Sequence, residues 1–195
     1  MAELHHSPIA ELLPWSLAPD GVNPAIALAE VPFVRQIGLR RRVPNAAYVA
    51  GLPLPLEANR VAAMGAVRTL WLGPDEWLIT APEGAAPELP ARLARALAGQ
   101  YAAVTELSSS RAVIAIAGSR ARALLEKGCG LDLHPRAFGP GHCAQTLFAG
   151  LPVIIDQTSA APSYRLFVRR STARWLCTWL IDAAEEFRFP RRRGD

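Results

Sequence analysis

Strand-like and helix-like patterns follow one another in the same order twice along this chain. Phe33–Arg41 alternates loosely between apolar and polar residues, as a half-buried strand does, and regular structure is expected to start near Val31. Val67–Leu72 and Glu76–Thr80 read as paired strands joined by the turn residues Gly73-Pro74-Asp75. Leu89, Leu93 and Leu97 then recur every four residues ahead of Gly99, which predicts an amphipathic helix and its stop. The second round begins with a strand at Val113–Ile116. A short helix carrying Ala121, Leu124 and Leu125 follows, with Ser119 as its expected cap and Gly128 as its end. Strands are expected at Ala144–Phe148, Val153–Asp156 and Tyr164–Val168. From Ser171 onward, Trp175, Leu176, Trp179, Leu180, Ala183 and Phe187 build a wide apolar helical stripe.

A short internal repeat supports the doubling. Gly51-Leu-Pro-Leu and Gly130-Leu-Asp-Leu share a Gly-Leu-x-Leu core 79 residues apart, and the same offset lays Val34–Ile37 over Val113–Ile116. The order of elements predicts an α+β protein built as two ferredoxin-like pseudo-repeats, with helices packed on antiparallel sheet. The expected divisions are an irregular N-terminal arm over 1–24, a first α+β repeat over 25–101, a second over 102–187 and a basic flexible tail over 188–195. The arm carries Pro8, Pro14, Pro19 and Pro24, and its apolar Leu12, Leu13, Trp15 and Leu17 suit a neighbouring surface.

Composition narrows the class. The chain is 51% hydrophobic, which excludes wholesale disorder. No apolar run is long enough to span a bilayer, and the first residues lack a basic region followed by an apolar one, so a cytoplasmic setting is expected. Three cysteines, an odd number, do not suggest a disulfide framework. The net charge of +4 is concentrated at the end, where Arg188, Arg191, Arg192 and Arg193 face only Asp195. The body lacks a stripe of basic and aromatic residues, so nucleic acid is not an expected partner.

The stretch from Lys127 to Gln145 gathers the single lysine with Cys129, Cys143, His134 and His142. Its C-x4-H-x7-H-C spacing matches tetrahedral zinc poorly, because zinc ligands come in pairs two to five residues apart. Cys129 follows the C-terminal end of a predicted helix, whose partial negative charge opposes a thiolate. A structural cysteine is the better reading. Asp75 and Glu76 are expected to cap or to pair with arginine rather than to act as general acid and base. Ser108, Ser109 and Ser110 lack a nucleophile elbow, and no phosphate-binding glycine motif is present. Arg169-Arg170-Ser171 reads as a helix cap with solvated arginines, or as a contact to a carboxylate-bearing partner. His5 and His6 are expected to be exposed. The residues thus assemble no catalytic constellation.

Five stretches carry a resemblance. Leu-Trp-Leu-Gly-Pro-Asp-Glu-Trp-Leu (70–78), Ser-Ser-Arg-Ala-Val-Ile (109–114), Lys-Gly-Cys-Gly-Leu-Asp-Leu-His-Pro-Arg-Ala-Phe (127–138), Gly-x-Cys-Ala-Gln-Thr (141–146) and Tyr-Arg-Leu-Phe-Val-Arg-Arg-Ser (164–171) occur in the order seen in gamma subunits of heterotetrameric sarcosine oxidase. Together they resemble that family across residues 25–187. Lys127-Gly128-Cys129 also opens like a signature of folate-dependent iron–sulfur repair proteins, but Asp132, Leu133 and His134 replace its Gly-Gln-Glu.

The resemblance implies a fold like the folate-binding part of the glycine-cleavage aminomethyltransferase. It also implies a place among alpha, beta and delta subunits, with alpha the expected direct contact. Such an assembly oxidises sarcosine to glycine with oxygen, hands the one-carbon unit to tetrahydrofolate and releases hydrogen peroxide. FAD, FMN, NAD and zinc are implied on other subunits, with no cofactor, metal or catalytic residue on this chain. Asp132, His134, Arg136 and Phe138 are the candidate partner contacts. Two alternatives stand beside this reading: a self-sufficient folate-binding or aminomethyltransferase-like protein, and the gamma subunit of a related N-methylglutamate dehydrogenase.

Overall fold

The computed structural model describes residues 7–17, 24–42 and 47–188. Its strands are β1 (Trp15–Leu17), β2 (Ile26–Glu30), β3 (Arg35–Arg41), β4 (Tyr48–Val49), β5 (Leu52–Pro53), β6 (Val61–Met64), β7 (Val67–Gly73), β8 (Glu76–Ala81), β9 (Ala102–Glu106), β10 (Arg111–Ala117), β11 (Cys143–Phe148), β12 (Leu151–Ser159) and β13 (Ser163–Arg169). The helices are α1 (Leu89–Ala96), α2 (Ala121–Glu126) and α3 (Ala173–Ala184), the last preceded and followed by short 3₁₀ turns.

Two large antiparallel sheets form, ordered β6-β7-β8-β3-β9 and β1-β2-β10-β13-β12-β11, beside a two-stranded β4-β5 ribbon. Their orders superimpose when β3 is set on β10, β8 on β13, β7 on β12, β6 on β11 and β9 on β2. The expected doubling is therefore real, but the sheets do not follow the halves of the sequence. β9 opens the expected second repeat yet pairs with β3, and β2 opens the expected first repeat yet pairs with β10. Each sheet thus takes a strand from the segment leading into the other, β9 at an edge and β2 between β10 and the edge strand β1.

Strand periodicity of two explains the layering. In β3, Ile37 and Leu39 turn toward α1 and pack with Leu89 and Leu93. The alternate residue Gln36 turns inward, where its amide donates to the Arg111 carbonyl at 3.1 Å. In the other sheet, Ile114, Ile155 and Leu166 pack against α2 and α3. Val113, Ile154 and Phe167 point the opposite way and meet Leu70 and Leu78 in a layer between the sheets. The result is four layers: helix, sheet, sheet, helices.

Several expectations are corrected. Residues 15–17 of the expected irregular arm are strand, paired with β2 in register Trp15↔Leu28 to Leu17↔Ile26. Ile9, Leu13 and Leu17 are buried in the core beneath α3, so the surface they cover is the chain's own. Arg120, not Ser119, precedes the first turn of α2, which has no side-chain cap. In α3 the buried stripe is Ala173, Leu176, Cys177, Leu180, Ala183 and Ala184. Trp175, expected in that stripe, is 51% exposed. A helix stripe about 100° wide admits only some of the apolar positions when a sequence offers them on several sides. The tail from 189 onward, and His5 and His6, lie outside the described residues.

Candidate functional site

Each reactive residue type in 127–145 has an internal occupation. Lys127 lies at the end of α2, and its ammonium donates to the Ala183 carbonyl at 2.6 Å. It also pairs with Glu186 at 2.9 Å and lies 5.5 Å from the centre of the Phe187 ring. A cation at a helix C-terminus satisfies carbonyls left without intrahelical partners. The chain's single lysine is therefore a pin between α2 and the end of α3. Gly128 is glycine for lack of room: a Cβ would approach both Phe148 and Trp179 to 2.9 Å. Those two rings meet edge to face, 5.2 Å between centroids at 86°.

Cys129 is buried, pairs through its backbone with Phe148, and its sulfur accepts from the Leu131 N–H at 3.4 Å. Leu133 enters the core of the second repeat as Leu54 enters that of the first. The shared Gly-Leu-x-Leu core is thus a device for seating a loop against each helix-covered sheet face.

His142 does not approach a metal-binding arrangement. Its ring sits against the Arg60 guanidinium, Nδ1 accepts from the Gly139 N–H at 3.2 Å, and Phe138 lies 5.8 Å away centroid to centroid. Arg60 in turn pairs with Glu57 at 2.8 Å and holds that carboxyl below its ordinary range. Among the described residues, no group of three or more His, Cys, Asp or Glu side chains is placed to hold a metal ion. The Arg60–His142 contact, reinforced by the backbone bridge between the same residues, ties the first repeat to the loop of the second.

Burial sets the thiol chemistry. Cys143 lies between the sheets, where burial and the nearby Asp156 carboxylate push its thiol up to about 12. Burial pushes Cys177 up to about 11. Raised values mean that folding favours the protonated thiols. That contribution is whole below the unfolded value near 9.0 and is lost as pH rises through the folded values. Ellman's reagent at pH 8 is accordingly expected to label Cys143 and Cys177 no faster than the chain unfolds. Rapid labelling that persists in a Cys129→Ser variant would contradict this.

The four candidate partner contacts separate into two kinds. Asp132, His134 and Arg136 are exposed on one turn. Asp132 accepts from the His134 N–H at 2.9 Å and faces Arg136 at 3.6 Å, and these hold its carboxyl low, the backbone bond first. Phe138 is only 4% exposed and belongs to the core, so it is corrected from a surface contact to an internal anchor of the loop. An aromatic in a Gly/Pro-rich loop is equally legible as either from sequence.

Sequence reasoning missed the strongest polar contact. Arg68 of β7 grips Asp156 of β12 with two bonds, 2.9 and 2.6 Å, across the space between the sheets. Asp156 has no exposed surface, and Arg165, its register partner on β13, lies close enough to feel its charge. The available signal was a lone acid at the end of the apolar run Val153-Ile154-Ile155.

The family model for the sarcosine oxidase, gamma subunit family matches residues 43–186, well over half the chain. The chain belongs to the sarcosine oxidase gamma subunit family. Its relatives include sarcosine oxidase subunit gamma of an Arthrobacter species, 38% identical over 96% of this chain and 93% of that one. The counterpart from Corynebacterium sp. strain P-1 is 37% identical over 91% of this chain and 89% of that one. Among solved structures, a chain of heterotetrameric sarcosine oxidase from Corynebacterium sp. U-96 superimposes with a TM-score of 0.86 at 34% identity, covering 97% of this chain and 100% of that one.

The glycine cleavage system aminomethyltransferase T from Bartonella henselae shares the fold, with a TM-score of 0.60 at 18% identity over 79% of this chain and 45% of that one. For a gamma-family chain, the aminomethyltransferase-like α+β architecture expected from the sequence is therefore the one observed. The first of the five motif stretches also acquires a physical reading. The 70–78 stretch is the β7–β8 hairpin, where Asp75 and Glu76 meet Arg40 at 3.9 and 3.4 Å, as the arginine pairing anticipated. No helix among the described residues is long and apolar enough to cross a membrane.

Proposed function

We propose that this chain is the non-catalytic gamma subunit of a sarcosine oxidase assembly. In that assembly sarcosine is oxidatively demethylated to glycine, the one-carbon unit passes to tetrahydrofolate, and hydrogen peroxide is released. The observation that carries the proposal is the whole-chain match to one subunit of a heterotetrameric sarcosine oxidase. The internal occupations of Lys127, Cys129 and His142 support a structural role, because a nucleophile or base must be available to substrate. In this reading FAD, FMN, NAD and zinc reside on the alpha, beta and delta subunits, with alpha the direct neighbour, and the assembly works in the cytoplasm. The exposed Asp132–His134–Arg136 turn remains a candidate contact.

Co-expression with the other three subunits tests the proposal. The chain is expected to co-elute in stoichiometric amount with an assembly that forms peroxide from sarcosine, and to form none alone. An assembly of the other three that is fully active and excludes this chain refutes it.

A further inference from the structure

Two family stretches distant in sequence, 109–114 and 164–171, meet through the pairing of β10 with β13, and they meet awkwardly. The register sets Arg111 directly opposite Arg169. Like charges opposed across an antiparallel pair repel, and such local conflicts mark places shaped by something other than stability. Arg111 is also partly withdrawn from water. Its Nη1 is buried with no hydrogen-bond partner, and burial lowers its affinity for a proton. The carboxylates nearby do little to balance it. Glu106 is engaged by the Ser108 hydroxyl, Glu76 pairs with Arg40 while its field reaches Arg111, and Glu30 and Glu83 line the adjoining cleft.

Arg111 forms part of the wall of a 190 Å³ cleft that also includes Gln36, Phe33 and Ser109. It borders a second, shallower groove shared with Arg169 and Ser171. Gln36 is 1% exposed, and its side-chain oxygen lacks a donor. One wall thus carries a poorly compensated guanidinium over an enclosed, unpaired amide oxygen. A peptide segment bearing a carboxylate answers that charge, with its acid on the part of the half-buried arginine that faces the cleft. Phe33, 47% exposed at the rim, adds an aromatic surface of the kind that accompanies arginine at interface hot spots.

We propose that the Arg111–Arg169 cleft is where an acidic segment of a partner subunit docks. This rests on the subunit reading above. The test is biolayer interferometry of the full chain on the purified assembly of the remaining subunits, with Arg111→Gln and Arg169→Gln compared against the unaltered chain. Each variant is expected to bind about tenfold or more weakly, because removing one member of a desolvated charge pair acts mainly on dissociation. The isolated Arg111→Gln chain is expected to melt no lower than the unaltered one, since a poorly compensated cation has been removed.

If Arg111→Gln fails to fold, the exposed Arg169 carries the test. Unchanged affinity in the folded variants overturns the proposal and leaves the subunit reading intact. An unaltered chain that does not bind the other subunits overturns both. A small carboxylate such as glycine or acetate that raises the melting temperature only when Arg111 is present, with assembly unaffected by the variants, places a small ligand in the cleft and also overturns the docking.

Discussion

Replacing Asp156 with alanine is expected to lower the stability of the isolated chain by about 3–5 kcal/mol, the usual effect of removing one partner from a buried ion pair. Asp156 is fully buried and accepts two bonds from Arg68, whose side chain is 19% exposed. Its loss leaves the Arg68 guanidinium facing the layer between the sheets with Arg165 nearby and no carboxylate between them. Denaturant melts followed by circular dichroism measure the change. The paired replacement Arg68→Met with Asp156→Leu is expected to recover most of it, because apolar residues of similar volume carry no desolvation cost. A loss below about 1 kcal/mol in Asp156→Ala would mean that water or another group compensates Arg68.

The second large effect lies at Phe138. Phe138→Ala is expected to cost about 3–5 kcal/mol, as for other buried aromatic truncations, whereas Phe138→Leu should cost much less. Phe138 packs in the core that also holds Leu133 and Phe148, and it flanks the His142 ring. Chemical melts of the isolated chain distinguish this from a surface role. An exposed docking residue leaves stability unchanged on truncation and weakens only assembly. A core anchor lowers stability first, and any effect on assembly follows from the displaced loop.

Most strands and helices were legible because burial of one face imposes a period of 2 or about 3.6 on the residues themselves, but β2 lies ahead of Val31, where regular structure was expected to begin. The β7–β8 hairpin and α1 stand where alternation and four-residue spacing place them. The doubling was legible too, from Gly-Leu-x-Leu, since the same loop must seat the same leucines in each half. Longer-range choices were not legible. Nothing local in Ile26–Glu30 or Ala102–Glu106 says which sheet each joins, because a strand pairs through backbone groups that every residue carries.

The loop at 127–145 shows the same division at the level of a site. Its residue types suggested chemistry, and their spacing argued against a zinc cage. That Lys127 closes a helix end, that Gly128 leaves room for two rings, and that His142 serves Arg60 depend on partners 20 to 82 residues away. By itself, then, the sequence determined the element types, the doubled α+β plan and the family. Only the tertiary structure decided which strands close which sheet, which charges meet between the sheets, and which loop residues face inward. The reason is physical: periodicity and turn chemistry are properties of neighbours in the chain, whereas ion pairing and close packing belong to residues that folding alone makes neighbours.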